Sequence, residues 1–560
     1  MCGVRSIRIG ISVIVFMCSS FLALAGEKED LLSAGNASFD RKDYAAAETA
    51  FAKLIEIDSM NSEGYYGRAF VKLARGEYDS AIKDFSESIR LNPEKGGAYR
   101  NRGNAYFGKQ QLAEAISDLS EAIRLDPKDA TAISNRCGVN LAKGDFDAAI
   151  ADANEAIRLN PSNGLVYSNR SYGFKGKGDY DRAIADATEA IRLMPKDSAP
   201  YLNRSLACEC KGDYTQVVAD ATRVIELNPK CTQAYTIRAN AYGNLGKRAE
   251  AISDYERAVE LDPKLVLNWV GLANIRYRNG EFDKAVEYYS QAIRLVPGWS
   301  YVYYWRGKAQ YERKQMTEAL SDLTEAIRLD PKNSLAYNSR SEVHLAKGEQ
   351  DSAIADASEA IRLSPRDALG FLNRSAAYAS KGNYPSAIDD ATQAIELEPK
   401  CTYAYSRRGG AKATLGKFTD AIQDYTRIIE LDPKCTLAYV NLADLHYRSG
   451  EFDKAIVDCT QAIQIEPRNQ LAFYYRGSAH YSKGGYDSAI ADYSEVIQLD
   501  DQNASAYHAR SCAYRKKGLQ VEADADFAEA VKHGRPASSG VKMKTSAETG
   551  DRPVPRLKRM

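Results

Sequence analysis

Net charge is the first thing this chain lacks. Its 560 residues hold 75 lysines and arginines against 75 aspartates and glutamates, so no long-range field draws it toward nucleic acid or an anionic membrane. Histidine is scarce too, with five in all. Three of these (His344, His446, His480) fall at one position of an internal period, on a packed helical stripe, which makes them core residues rather than ligands or bases. No phosphate loop, paired metal motif or nucleophile elbow appears. The expectation is no enzyme, no cofactor and no metal centre, with any partner recognised locally.

What the chain does have is a period. Twelve prolines stand 34 residues apart, from Pro93, Pro127 and Pro161 through to Pro433 and Pro467. A fixed interval of that length marks one supersecondary unit stacked many times. With Ser62 as slot 1, each of these prolines is slot 32. Slot 4 is large and mostly aromatic (Tyr65, Tyr99, Trp269, Phe371), slot 8 is small (Ala69, Gly103, Cys137, Ser171), slot 15 is usually glycine (Gly76, Gly144) and slot 20 is nearly always alanine (Ala81, Ala115). Slots 4, 8 and 11 share one helical stripe and slots 20, 24 and 27 another. The spacing predicts two amphipathic helices per unit, joined at the glycine, with the small residues letting them approach and the slot-4 aromatic filling the space beside them. Proline at slot 32 stops the second helix, because the residue before it is pushed out of the helical region.

This pattern resembles the tetratricopeptide repeat family, in the form of an exported bacterial member. The resemblance covers about fifteen units over 26–537, including a degenerate first one (Leu31, Gly35, Tyr44, Ala47, Phe51) in which Ser59 replaces the proline. It implies an all-α fold, a right-handed superhelical solenoid whose inner groove, lined by the first helix of each unit, binds peptides or protein segments.

The N-terminus reads as a signal peptide over 1–25. Arg5 and Arg8 precede an uncharged apolar stretch from Ile9 to Ala25 that ends in a small-x-small site. The expected location is therefore exported, periplasmic or secreted, with no stable membrane insertion after cleavage; an uncleaved anchor is the alternative. Residues 538–560 read as a disordered basic tail with too little apolar area to order itself. Eight cysteines remain beyond the leader, and they are expected to be mostly free thiols, with a link from Cys208 or Cys210 to Cys231 as the outside alternative.

Two charges recur beside the packed stripe. Arginine holds slot 7 in most units (Arg68, Arg102, Arg340) and aspartate holds slot 23 (Asp84, Asp118, Asp356). Charges so near a core need partners. The unit from Val266 loses both, with Leu272 and Tyr288 in their places, so pairing within a unit is expected. Leu442 is the exception, leaving Asp458 without its arginine. A higher repetition overlies the first: the segment 165–329 resembles the one 170 residues later, so a groove site in the first copy should have an echo in the second.

Function is expected on the remaining face of the first helix, slots 2, 6, 9 and 13 flanked by 5 and 12. Asn101, Asn135, Asn169 and Asn203 hold slot 6 in four successive units, and an amide row can hold an extended chain by its backbone. This is similar to the asparagine ladder of the O-linked N-acetylglucosamine transferase family, whose catalytic domain has no counterpart here. The alternative is that these amides simply bind water. Farther along come Tyr277, Arg278, Tyr301, Tyr304, Trp305, Lys308 and Tyr311, echoed by Tyr447, Arg448, Tyr474 and Tyr481; tyrosine supplies contact area at low entropy cost. Arg100, Asn104 and Asn135 meet only part of the carboxylate clamp of chaperone-binding relatives, because Leu165 and Asn169 stand where further cations belong. The resulting expectation is a non-enzymatic scaffold holding extended peptides or partner proteins during envelope assembly or secretion. The second reading is a carbohydrate-binding accessory for polysaccharide export.

Overall fold

The computed structural model describes residues 25–534; the expected signal peptide and basic tail lie outside these, apart from Ala25. Among the described residues all regular structure is helical. Thirty helices follow one another, from α1 (25–40), α2 (Tyr44–Ile57), α3 (Ser62–Ala74) and α4 (Tyr78–Leu91) to α29 (Ala504–Lys516) and α30 (Gln520–Lys532). Odd-numbered helices open a repeat and even-numbered ones close it. They form two compact bodies, one ending at Gly280 and one starting at Glu281. Within each body, successive first helices approach one another more closely than successive second helices do. The first helices therefore lie on the inner side of the stack.

The turn chemistry follows the pattern. Gly76 and Gly144 at slot 15 have φ of 77° and 81°, in the left-handed region. The next amide closes the turn, as in Glu77 N–H to the Lys72 carbonyl at 2.9 Å. At the other end Asn92, before Pro93, is extended with φ −139° and ψ 89°. Asn61 and Asp129 then accept amide hydrogens at the start of the next first helix.

Packing inside a repeat is set by slots 8 and 24 together, a relation the sequence reading missed. Where slot 8 is glycine, slot 24 is large: a Cβ on Gly103 would stand 2.9 Å from Leu119 Cγ, one on Gly307 3.0 Å from Leu323 Cγ, and one on Gly477 2.9 Å from Tyr493. Where slot 8 is serine, slot 24 is often alanine, as in Ser171 with Ala187, Ser341 with Ala357 and Ser375 with Ala391. The hydroxyl then donates across the interface, from Ser171 to the Ala183 carbonyl at 2.7 Å and from Ser341 to that of Ala353 at 2.8 Å. Volume is conserved across the pair while its chemistry changes. The same rule accounts for the first repeat, where Phe51 sits between Gly35 and Gly67.

The charged ladder forms as expected. Arg68 reaches Asp84 at 2.8 Å, Arg136 reaches Asp152 at 2.6 Å, and Arg340 reaches Asp356 at 2.7 Å. The pairing is bidentate, through Nε and Nη2. The third arm crosses between repeats: Arg340 Nη1 donates to Thr324 Oγ1 at 3.0 Å, and Arg102 Nη1 to Ser86 Oγ at 2.9 Å. Slot 25 is thus part of the ladder. The slot-4 aromatic packs against the core as expected, as Tyr99, Tyr337 and Phe371 do. It is half-buried and lies beneath the guanidinium, at 5.6 Å for Arg68 over Tyr65 and 5.7 Å for Arg340 over Tyr337. The deeper space belongs to slot 24.

Leu442 leaves Asp458 without its arginine, as expected, but not without a partner. His446, at slot 11, puts its Nδ1 2.7 Å from the Asp458 carboxylate. Burial pushes the Asp458 carboxyl above its ordinary value, with His446 pulling the other way. Asp84, held by both Arg68 and Lys72, sits below its ordinary value despite its own burial.

Candidate functional site

The repeating slots are spent on packing, so the inner first-helix surface carries what differs between repeats. In the N-terminal body that surface is polar. Asn101 donates its amide to Tyr66 Oη at 2.9 Å, Asn135 to Asn104 Oδ1 at 2.9 Å, and Asn203 to the Ser168 carbonyl and hydroxyl at 3.0 Å. Each partner belongs to the preceding repeat. Three of the four amides therefore already bridge neighbouring first helices, and Asn101 is buried. Asn169 is half-buried and makes no such bridge. Each single-acceptor bridge uses one of the two amide hydrogens, so Asn101 and Asn135 keep one hydrogen as well as a carbonyl oxygen.

Arg100, Asn104 and Asn135 do come together, but Arg100 is held by Asp129 at 2.7 Å. Nearby, Lys95 lies 3.9 Å over the Tyr66 ring and pairs with Glu63 at 2.6 Å; burial holds its ammonium below the ordinary range. Glu209 is pushed up by burial while Asn240 pulls it down. Asn240 also accepts from the hydroxyl of Tyr255, a phenol that burial drives to about 12. Tyr277 is half-buried and Arg278 exposed on the last turn of α15 (Val266–Arg278), in this body.

The rest of the aromatic set lies in the C-terminal body. On α17 (Ser300–Glu312), Tyr301 is exposed and stacks on Trp299 with ring centres 5.8 Å apart; Trp305 meets Tyr301 at 6.1 Å and Tyr304 at 5.3 Å, edge to face. Lys308 stands 5.5 Å over Trp305. Tyr304 corrects the sequence reading: at 8% exposure it is core, packed with Leu323 and Ile327. Slot 5 packs toward the second helix of its own repeat, not into the groove. Tyr311 packs partly buried against the same cluster.

In the second copy, Tyr474 likewise leans on the buried Tyr493 at 5.7 Å. Tyr481 meets Tyr486 at 5.5 Å, Tyr447 meets Phe452 at 5.6 Å and accepts a hydrogen bond from Ser482 at 3.4 Å. Arg448 lies 4.5 Å over the Phe418 ring. Most of these aromatics thus serve two ends, with one edge in the packing and one toward solvent. Among the described residues no cluster of side chains could hold a metal ion, and no helix is long and apolar enough to cross a membrane. The eight described cysteines are free thiols.

Stacked helix pairs with packing written into fixed slots define a helical repeat solenoid. The chain belongs to the tetratricopeptide repeat family. Models described as tetratricopeptide repeat match 66–130, 139–198, 402–435 and 436–469, and one described as TPR repeat matches 477–518. The model of the Cilia and flagella-associated protein 70 C-terminal domain matches 202–407. No curated protein matches the chain. Among solved structures it is similar to the Cut9-Hcn1 hetero-tetramer of the APC/C (17% identity, 83% of this chain and 98% of that one, TM-score 0.37). It is also similar to yeast Tom70 (18%, 75% and 96%, 0.37) and to YrrB, a TPR protein with an unusual peptide-binding site (23%, 33% and 95%, 0.29).

Proposed function

We propose that this chain is an exported, non-enzymatic scaffold that holds extended peptides or partner segments on the inner surface of its first helices, in envelope assembly or secretion. One observation carries the binding part. Slots 7, 8, 15, 20, 23, 24 and 25 are consumed by packing and the ladder, while the exposed first-helix positions differ from repeat to repeat, as Glu63, Thr131, Gln233 and Leu335 illustrate at slot 2. Side-chain variety presented on a rigid stack is what local recognition requires. Export rests on the sequence of residues 1–25.

The test is titration of the purified chain with a random peptide library and with oligosaccharides, comparing it with Tyr301→Ala and Lys308→Ala. Both residues lie outside the buried core, so folding is kept. Peptide binding lost on substitution supports the scaffold. Tight sugar binding without peptide binding reverses the order and makes the chain a polysaccharide-export accessory.

A further inference from the structure

The C-terminal body carries an exposed apolar row that packing does not explain. Slot 2 is Leu335, Leu369, Tyr403, Leu437 and Leu471 in five successive repeats, each between 36% and 49% exposed. A large apolar side chain left in water once is ordinary; five in register at a constant period make a surface. Three residues before each stands a cation: Lys332, Arg366, Lys400, Lys434 and Arg468, all exposed. Among the described residues none of the five is in an ion pair, whereas the cations of the neighbouring second helices are paired, as Arg328 is with Glu325, Arg362 with Glu359 and Arg427 with Glu430. Three of the carboxylates two positions before these cations are turned to other work. Asp330 and Asp432 accept the backbone amides of Lys332 and Lys434, and Glu466 accepts from Asn469.

We infer that this row is the part of the inner surface that selects the guest, and that the guest is an extended acidic segment with an apolar side chain at every third residue. The inference rests on the peptide-scaffold reading above. Its spacing comes from geometry. First helices in contact lie about 8–10 Å apart, and three residues of an extended chain span about 10 Å. One apolar guest residue per repeat is therefore the natural register. Its charge comes from the five unpaired cations, which an acidic guest would neutralise at the outer edge of the row. In the N-terminal body slot 2 makes no continuous row: Leu165 and Leu267 are exposed there, but Glu63, Gly97, Thr131, Ala199 and Gln233 stand at the other positions.

The experiment uses the full purified chain and labelled synthetic peptides of equal length rich in Leu, the first two with Asp and Glu. In one the leucines fall at every third position, in another at every fourth; a third replaces the acids by Lys. Phosphatidylserine vesicles are the fourth probe. The every-third acidic peptide is expected to bind about tenfold or more tighter than the other two peptides, with affinity falling as salt rises. Lys400→Glu with Lys434→Glu should weaken it about tenfold, and so should Leu335→Ser with Leu437→Ser, with circular-dichroism melts unchanged because all four side chains are exposed. Equal affinity for both leucine registers, indifference to both double variants, or preference for the vesicles overturns the inference. Binding of other peptides that the variants leave untouched overturns it while sparing the scaffold; binding of no peptide at all overturns both.

Discussion

Lys42, Gln110 and Lys314 stand at slot 15, where most other repeats place glycine, and adopt φ of 61°, 64° and 64°. For a residue with a Cβ that conformation costs about 1–2 kcal/mol, partly offset because glycine is freer in the unfolded chain. Lys314→Gly is therefore expected to stabilise the repeat that begins at Ser300 by about 0.5–1 kcal/mol. Slowed hydrogen exchange in 300–329 measures it. Exchange no slower than in the parent would mean that the turn carries no strain. The same scale explains which site residues were legible. Slot identity was readable for Tyr301 and Arg278, which are exposed as the helical wheel suggests. It failed for Tyr304 and Asn101, because a wheel knows one helix, whereas Tyr304 packs onto the second helix of its repeat and Asn101 reaches Tyr66 of the repeat before.

At the scale of the helix pair, the arginine is a three-way tie. Arg340 joins its own first helix to Asp356 of the second and to Thr324 of the repeat before. Replacing it with leucine leaves a nearly buried carboxylate with only His344 Nε2, 3.7 Å away, which costs about 2–3 kcal/mol once the 20% exposure of the arginine is allowed for. The repeat from Val266 shows the alternative, apolar at slot 7 and aromatic at slot 23. Arg340→Leu with Asp356→Leu should thus recover more than half of the loss, and a double-mutant cycle read by exchange in 334–363 checks it. A double variant no better than the single would mean that the carboxylate is not the seat of the cost. Of this element the Arg and Asp were legible from their spacing and the slot-25 hydroxyl was not. Nor was the match between slots 8 and 24, though the residues were all in view, because neither slot varies in a telling way until the two are read as a pair. His446 was placed on the packed stripe, and what it does there depended on the absence of an arginine four residues earlier.

Within each body, contacts run between a repeat and its neighbours, so stability should be a sum of local terms and not one cooperative quantity. The thiols offer a readout already built in. Cys137, Cys208 and Cys459 are buried, and burial pushes their thiols to about 12, about 11 and about 12; Cys210 is exposed. Since only the thiolate reacts, the three buried groups are silent until their own repeats open. Maleimide at neutral pH should label Cys210 within the first time points and the buried three far more slowly, as peptide mass spectra would show. Local stability makes a sharper demand. In mild urea, Arg340→Leu weakens the repeat that begins at Ser334, three repeats before the one holding Cys459 and six after the one holding Cys137. The labelling rate of Cys137 should then stay that of the parent chain while peptides from 334–363 exchange faster. A single cooperative domain would instead expose Cys137, Cys208 and Cys459 together and by one factor, because every thiol would wait on the same unfolding event.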